Sequence, residues 1–217
     1  MPKKSLFLLL CVFISIQSLL AQNTLQKKGK TKYFYASIRP GISLDHMRVR
    51  GYFQDQIKFN NPGNPCLSGA FDIDYDGQSI FRLELTYKPF NFSSEGIHKG
   101  SKTFSPYELK GFSVIPEFQF LHKWSFNSDL HIYGGAGFGW RLSNIEKNEI
   151  IFDGQPPIGT HKSLQVETSD AVISCATGLI FRNHYEFNCK LSSTQWGNNS
   201  RNKLSNRYIT VGLGYRL

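Results

Sequence analysis

The chain has 217 residues, 25 Lys and Arg against 16 Asp and Glu, and a formal net charge of +9. Only 40% of it is hydrophobic and its mean hydropathy is −0.31, which excludes a bundle of membrane helices and suits a single domain. The basic excess comes without a helical basic face or a nucleic-acid motif, so nucleic acid is excluded as a partner. The 18 Phe, 10 Tyr and 19 Gly point instead to aromatic-rich strands with close backbone approaches and tight turns.

At the N-terminus, Lys3 and Lys4 precede an apolar run from Leu6 to Ile16, and Ser18-Leu19-Leu20-Ala21 stands before Gln22. This is the pattern of a secretory signal over residues 1–21, leaving 22–32 as a short periplasmic tail. Gln17 and Ser18 interrupt the run before it reaches the length of a spanning helix. Leu9-Leu10-Cys11 is not a lipoprotein box, because Leu10 is too large and Cys11 lies inside the apolar run. Cys66, Cys175 and Cys189 then remain, an odd number that makes no disulfide framework. No Cys or His pair has the spacing of a metal finger.

From residue 33 onward the sequence alternates with a period of two, the signature of strands with unlike faces. The first strand, Tyr33 to Leu44, sets Phe34, Ala36, Ile38, Ile42 and Leu44 against Ser37, Arg39 and Ser43, with a bulge or bend expected at Pro40. Residues 45–66 read as a long loop. The second strand, 67–75, opposes Leu67, Phe71 and Ile73 to Asp72 and Asp74, and Asp76-Gly77 is a hairpin signal. In the third, Phe81, Leu83, Leu85 and Tyr87 alternate with Arg82, Glu84, Thr86 and Lys88. After a loop at 92–106 comes the fourth, 110–121, with Phe112, Val114, Phe118 and Phe120 opposite Ser113, Glu117 and Gln119. Ile115 and Leu121 break its polar face.

A short turn at 125–128 leads to the fifth strand, where Leu130, Ile132, Phe138, Trp140 and Leu142 oppose Tyr133 and Arg141. A third loop spans 144–168. The sixth strand, 170–181, opposes Ile173, Cys175, Leu179 and Phe181 to Ser174, Ala176 and Gly178. A turn at Arg182-Asn183-His184 gives the seventh, with Tyr185, Phe187, Cys189 and Leu191 against Glu186, Asn188 and Lys190. A fourth loop, 195–206, returns to the last strand, in which Ile209, Val211, Leu213, Tyr215 and Leu217 alternate with Tyr208, Thr210, Gly212, Gly214 and Arg216.

Eight strands joined by connections that run long, short, long, short, long, short, long make an all-β, eight-stranded antiparallel up-and-down barrel over 33–217. Long outer loops and short periplasmic turns belong to a transmembrane barrel. The face chemistry agrees. A soluble carrier barrel buries its apolar side chains, whereas here the polar face collects Arg39, Asp72, Asp74, Arg82, Glu84, Lys88, Glu117, Arg141, Glu186, Lys190 and Arg216. These ions are expected to pair inside, and the nearly uncharged opposite face to meet lipid, where a midplane Lys or Arg costs roughly 2–4 kcal/mol. Two aromatic belts are expected. Phe34, Tyr75, Phe81, Trp124, Phe126, Phe181, Tyr185 and Tyr215 lie toward the short turns, and Tyr87, Phe90, Phe92, Phe112 and Trp140 toward the long loops.

The fifth strand, Leu130-His131-Ile132-Tyr133-Gly134-Gly135-Ala136-Gly137-Phe138-Gly139-Trp140-Arg141, and the terminal Val211-Gly212-Leu213-Gly214-Tyr215-Arg216-Leu217 resemble the small outer-membrane β-barrel family of the OmpA membrane domain, OmpX and porin-family barrels. The resemblance implies a cell-envelope protein of the outer membrane, in contact with outer-membrane lipid and lipopolysaccharide and assembled by the barrel-assembly machinery. Leu217 stands where such chains often end in an aromatic residue.

The reading is a monomeric, non-enzymatic scaffold without cofactor, metal site or open diffusion pore, presenting its four long loops for adhesion, surface binding or envelope structure. The alternatives are an accessory barrel of a secretion system and a lipid A-modifying enzyme. The enzyme would draw on His161, Ser163 and Glu167, a His-x-Ser pair with a nearby acid at the end of the longest loop. Cys175 and Cys189 share a face of neighbouring strands, as lipid-facing thiols or, alternatively, as a cross-strand disulfide.

Overall fold

The computed structural model describes residues 33–50, 59–60, 63–75, 77–94, 98–99, 102–103, 107–150, 169–194 and 203–217. The expected signal segment 1–21 and tail 22–32 lie outside them, as do His161, Ser163 and Glu167. Eight long strands carry the fold: β1 Tyr33–Arg50, β2 Asn64–Asp74, β3 Ser79–Ser94, β4 Tyr107–Ser125, β5 Leu130–Ile150, β6 Ser169–Phe181, β7 Tyr185–Thr194 and β8 Lys203–Arg216. Each pairs antiparallel with its sequence neighbours, and β1 pairs with β8 from Ser37↔Arg216 to Arg50↔Lys203, so the sheet closes on itself. Phe59–Asn60 adds to the outer end of β3, and His98–Lys99 forms a small hairpin with Lys102–Thr103. Closure leaves no open edge along the barrel, the condition for a sheet to sit in lipid.

The short turns are built by local chemistry. Gly77 adopts φ 80° and donates its N–H to Asp74 Oδ1 at 2.8 Å. Asn127 accepts from the N–H groups of Asp129 and Leu130 at 2.9 and 2.7 Å. Arg182 and Asn183 both have positive φ, 50° and 57°, the two central conformations of a type I′ turn, closed by the His184 N–H donating to the Phe181 carbonyl oxygen at 3.2 Å.

Three expectations are corrected here. The long connections are shorter than the sequence pattern predicts. β1 continues to Arg50 and β2 starts at Asn64, within 45–66. β3 reaches Ser94 and β4 starts at Tyr107, at the edges of 92–106. β5 runs to Ile150 and β8 begins at Lys203, inside 144–168 and 195–206. Alternation fades where the outer face leaves lipid, although backbone pairing continues, so sequence pattern marks the apolar band and not the strand. Pro40 makes no bulge: β1 keeps one register with β2 through Pro40↔Leu67, and with β8 the numbering resumes unshifted at Gly41↔Gly212. The register shift that does occur is at Lys110/Gly111 against β5. Finally, Phe90 and Phe92 face inward and are buried, so the outer aromatic belt is Tyr87, Phe112 and Trp140. Both phenylalanines share the parity of Arg82 and Lys88, and proximity to the loop misplaced them.

The outside is apolar. From Phe34 to Leu44 in β1, and over the matching stretches of the other strands, no outward position holds Asp, Glu, Lys or Arg. Ile38, Phe118, Phe120 and Leu213 are each more than half exposed. Ten residue steps at about 3.3 Å, tilted about 45°, give a band of roughly 23 Å, close to the apolar girdle of a membrane barrel.

Candidate functional site

The interior is where the chemistry collects. All eleven ionisable residues singled out from the alternation are buried inside the barrel. Arg216 donates to Asp72 at 3.0 Å, and Asp72 receives the Nε and Nη2 fork of Arg82 at 2.6 and 2.8 Å. Arg82 also meets Glu186 at 2.8 Å, and Glu186 accepts from Arg39 at 3.0 Å. Arg39 reaches Glu84 at 2.7 Å, and Lys190 bridges Glu84 at 2.6 Å and Glu117 at 3.0 Å. The result is a chain of alternating sign, Arg216–Asp72–Arg82–Glu186–Arg39–Glu84–Lys190–Glu117. Tyr133 on β5 donates to Glu186 and Ser174 on β6 donates to Glu117, so every strand contributes a member. Buried charges this well paired avoid the several kcal/mol that an isolated ion would cost.

Satellite pairs flank the chain. Toward the outer end Lys88 donates to Asp45 at 2.5 Å, and Asp45 also accepts from Asn206 at 2.7 Å and Asn64 at 3.1 Å. Arg141 pairs with Asp170 nearby. Toward the short turns Lys123 pairs with Asp74. Asp45, Lys123 and Asp170 are further interior ions that the alternation does not single out: each falls on the inward parity of its strand, but Asp45 and Lys123 lie past the predicted ends of the first and fourth strands, and Asp170 is the first predicted position of the sixth. With them the interior pairs seven cations (Arg39, Arg82, Lys88, Lys123, Arg141, Lys190, Arg216) with seven anions (Asp45, Asp72, Asp74, Glu84, Glu117, Asp170, Glu186) among the described residues.

Apolar side chains fill the remainder. Ile115 and Leu121, which break the polar face of β4, are fully buried inside. Leu121 packs with Ile80, Tyr133, Ala176 and Ile180, and Ile115 with Val172 and Tyr208. Contacts also cross the lumen. Lys190 on β7 meets Glu84 on β3 and Arg82 on β3 meets Glu186 on β7, joining strands on opposite sides of the eight-stranded ring, and Tyr208 on β8 shares an apolar cluster with Val172 on β6 and Ile115 on β4. The Lys88 amine sits 3.7 Å from the centre of the Tyr208 ring, a cation–π contact that holds the ring across the barrel.

Cys66 is buried inside, whereas Cys175 and Cys189 lie on the outer face; all three are free thiols. Cys175 stands opposite Leu191 and Cys189 opposite Thr177, so the two thiols are diagonal and not directly paired. Among the described residues no group of three His, Cys, Asp or Glu side chains is placed to hold a metal.

A closed antiparallel eight-stranded barrel with its ions inside and its oily face outside defines a small membrane-type β-barrel. No family model matches the chain, and no curated protein does. Among solved structures it is similar to the outer membrane protein OprG from Pseudomonas aeruginosa, 16% identical over 86% of this chain and 97% of that one, with a TM-score of 0.49. It is also similar to Ail, the attachment invasion locus protein of Yersinia pestis, in complex with the heparin analogue sucrose octasulfate, 16% identical over 85% and 99%, with a TM-score of 0.41. A third is the outer membrane enzyme PagL, 12% identical over 85% and 99%, with a TM-score of 0.38.

Proposed function

We propose that this protein is a monomeric, non-enzymatic scaffold of the outer membrane. Its barrel holds the outer loops rigidly above the lipid for adhesion, surface binding or envelope structure, and it reaches its place through the barrel-assembly machinery. The observation that carries this reading is the crossing of the lumen by Lys190–Glu84 and Arg82–Glu186 inside a barrel whose outer band lacks charge. A lumen filled by a self-paired network leaves no aqueous path, and eight strands enclose room only for side chains. The same network supports a structural use of its ions, since each carboxylate faces a cation and not an open cleft. Lipopolysaccharide and outer-membrane phospholipid are the surrounding solvent.

The test is fractionation followed by gel electrophoresis without boiling. The protein is expected in the outer-membrane fraction, migrating faster unboiled than boiled, as folded barrels do. Recovery in the soluble periplasmic fraction, or identical migration in both lanes, contradicts the reading. Replacing residues 151–168 and 195–202 by short Gly-Ser segments is expected to keep that gel shift while removing surface binding. Ser163→Ala is expected to leave the acylation state of lipid A unchanged; a change would favour the enzyme.

A further inference from the structure

The two carboxylate oxygens of Glu186 are used unequally. Oε1 accepts from Arg39 at 3.0 Å and from Tyr133, and lies 2.8 Å from Arg82 Nη1. Oε2, equally buried, has no hydrogen-bond partner among the described residues. Its ion-pair partner is uneven in the complementary sense. Arg39 donates from Nη1 to Glu186 and from Nη2 to Glu84 at 2.7 Å, while its Nε–H has no acceptor among the described residues. Both side chains are at most 2% exposed. A buried polar atom left without a partner carries its full desolvation cost, and here an unmet donor and an unmet acceptor belong to one pair.

The strand beside that pair leaves room. Glu186 stands opposite Gly214 on β8, and the Arg39 stem lies over the same glycine, its Cδ 3.0 Å from where a Cβ would be. One inward step along β8 is Gly212, flanked by Gly41 and Asn188. The inward glycines Gly178 and Gly137 are covered by side chains, Tyr133 over the first and Glu117 and Ser174 over the second. At Gly212 the nearest side-chain atom is Arg39 Cβ, 3.8 Å from the Cβ position. Thr210, the next inward residue of β8, is buried and its Oγ1 is likewise unpartnered among the described residues. We propose that the gap at Gly212 is a binding site for one buried water, which accepts from Arg39 Nε–H and donates to Glu186 Oε2. The occupant must both accept and donate, which a hydroxyl-type group does and an ion does not. It must also be neutral, because Arg39 already stands between two carboxylates and Glu186 between two guanidinium groups. Thr210 Oγ1 makes a third partner, the number typical of an interior water. Lys190–Glu84 crosses the lumen toward the outer loops and Arg216 meets Asp72 toward the short turns, so the site is enclosed and adds no path through the barrel.

The experiment is NMR of the isotope-labelled protein folded in detergent micelles, read at the Arg39 Nε–H. Wild type is expected to show a cross-peak from that proton to water, opposite in sign in the laboratory and rotating frames, the mark of a held water and not of hydrogen exchange. Gly212→Ser puts a hydroxyl into the gap and is expected to lose the cross-peak while keeping heat-modifiable migration. Gly134→Ala, on the outer face beside Trp124, is expected to retain it. Absence of the cross-peak in wild type overturns the proposal, and so does its survival in a folded Gly212→Ser variant. If the serine variant does not fold, a crystal structure of the wild type decides. Density for a water within hydrogen-bond distance of both Arg39 Nε and Glu186 Oε2 upholds the site, and any other partner for Nε, Oε2 itself included, overturns it.

Discussion

Single residues inside the barrel act by making room for one another as much as by pairing. Gly178 on β6 lies against Tyr133; a Cβ there would stand 2.4 Å from the tyrosine hydroxyl and 2.3 Å from the Phe187 carbonyl oxygen. Tyr133 is needed at that spot, because it donates to Glu186 and accepts from Asn188 at 2.7 Å. Gly178→Ala is therefore expected to cost about 1–3 kcal/mol by overpacking, seen as a lower urea midpoint in vesicles. Arg82 is the most connected cation, binding Asp72 through two nitrogens and reaching Glu186. Arg82→Leu leaves both carboxylates short of a partner in a dry interior, at a cost of about 3–5 kcal/mol. Arg82→Lys, which keeps the charge and loses the fork, should cost clearly less in the same titration. Equal losses for the two variants would show that shape, not charge, sets the stability. The ions themselves were legible in the sequence because their parity is strict. Which ion pairs with which was not, because partners such as Lys190 and Glu84 stand 106 positions apart and meet only when the ring closes.

Strands and turns were legible where lipid imposes alternation and illegible beyond it. Every apolar outward run in the sequence corresponds to strand, yet β5 extends to Ile150, eight residues past Leu142, the last of its apolar outward positions. Past that point neither face meets hydrocarbon and no period distinguishes strand from loop. Ile115 and Leu121 looked like defects of pattern and are instead the apolar packing of the interior. The turns were legible from chemistry: Asp76-Gly77 does place a glycine in the left-handed region, with φ 80°. Nothing lies within 4 Å of where its Cβ would be, so backbone strain alone separates Gly77 from other residues. Gly77→Val is expected to cost about 1–2 kcal/mol and to slow refolding into vesicles, whereas Gly77→Asn, which tolerates that region, should stay near wild type. A similar loss for both would mean that the turn does not need the left-handed conformation.

For the molecule as a whole, the arrangement of polarity makes opposite demands on its two surfaces. The outer one must stay free of charge: Phe118, 60% exposed near the middle of the band, tolerates other apolar residues, and Phe118→Arg is expected to cost roughly 2–4 kcal/mol in bilayer unfolding. The same change at Lys110, beyond the apolar band, should be nearly silent. The inner surface must instead stay filled. Ion pairs that join opposite walls act as cross-braces, and removing them leaves space that water enters, since the lining hydroxyls and charges are polar. Wild-type protein in a planar bilayer is accordingly expected to show no steady conductance. Tyr208→Ala alone should open little, because Lys190 still spans to Glu84 beneath it. The triple variant Tyr208→Ala/Lys190→Ala/Glu84→Ala removes the Lys190–Glu84 brace and the Tyr208 ring, leaves Arg82–Glu186 as the remaining crossing, and is expected to pass small ions in brief, uniform steps. A large steady conductance in wild type would mean that the braces part in the bilayer. A silent triple variant that still folds would mean instead that the remaining Arg82–Glu186 crossing, with Arg39–Glu186 beside it, is enough to close the tube.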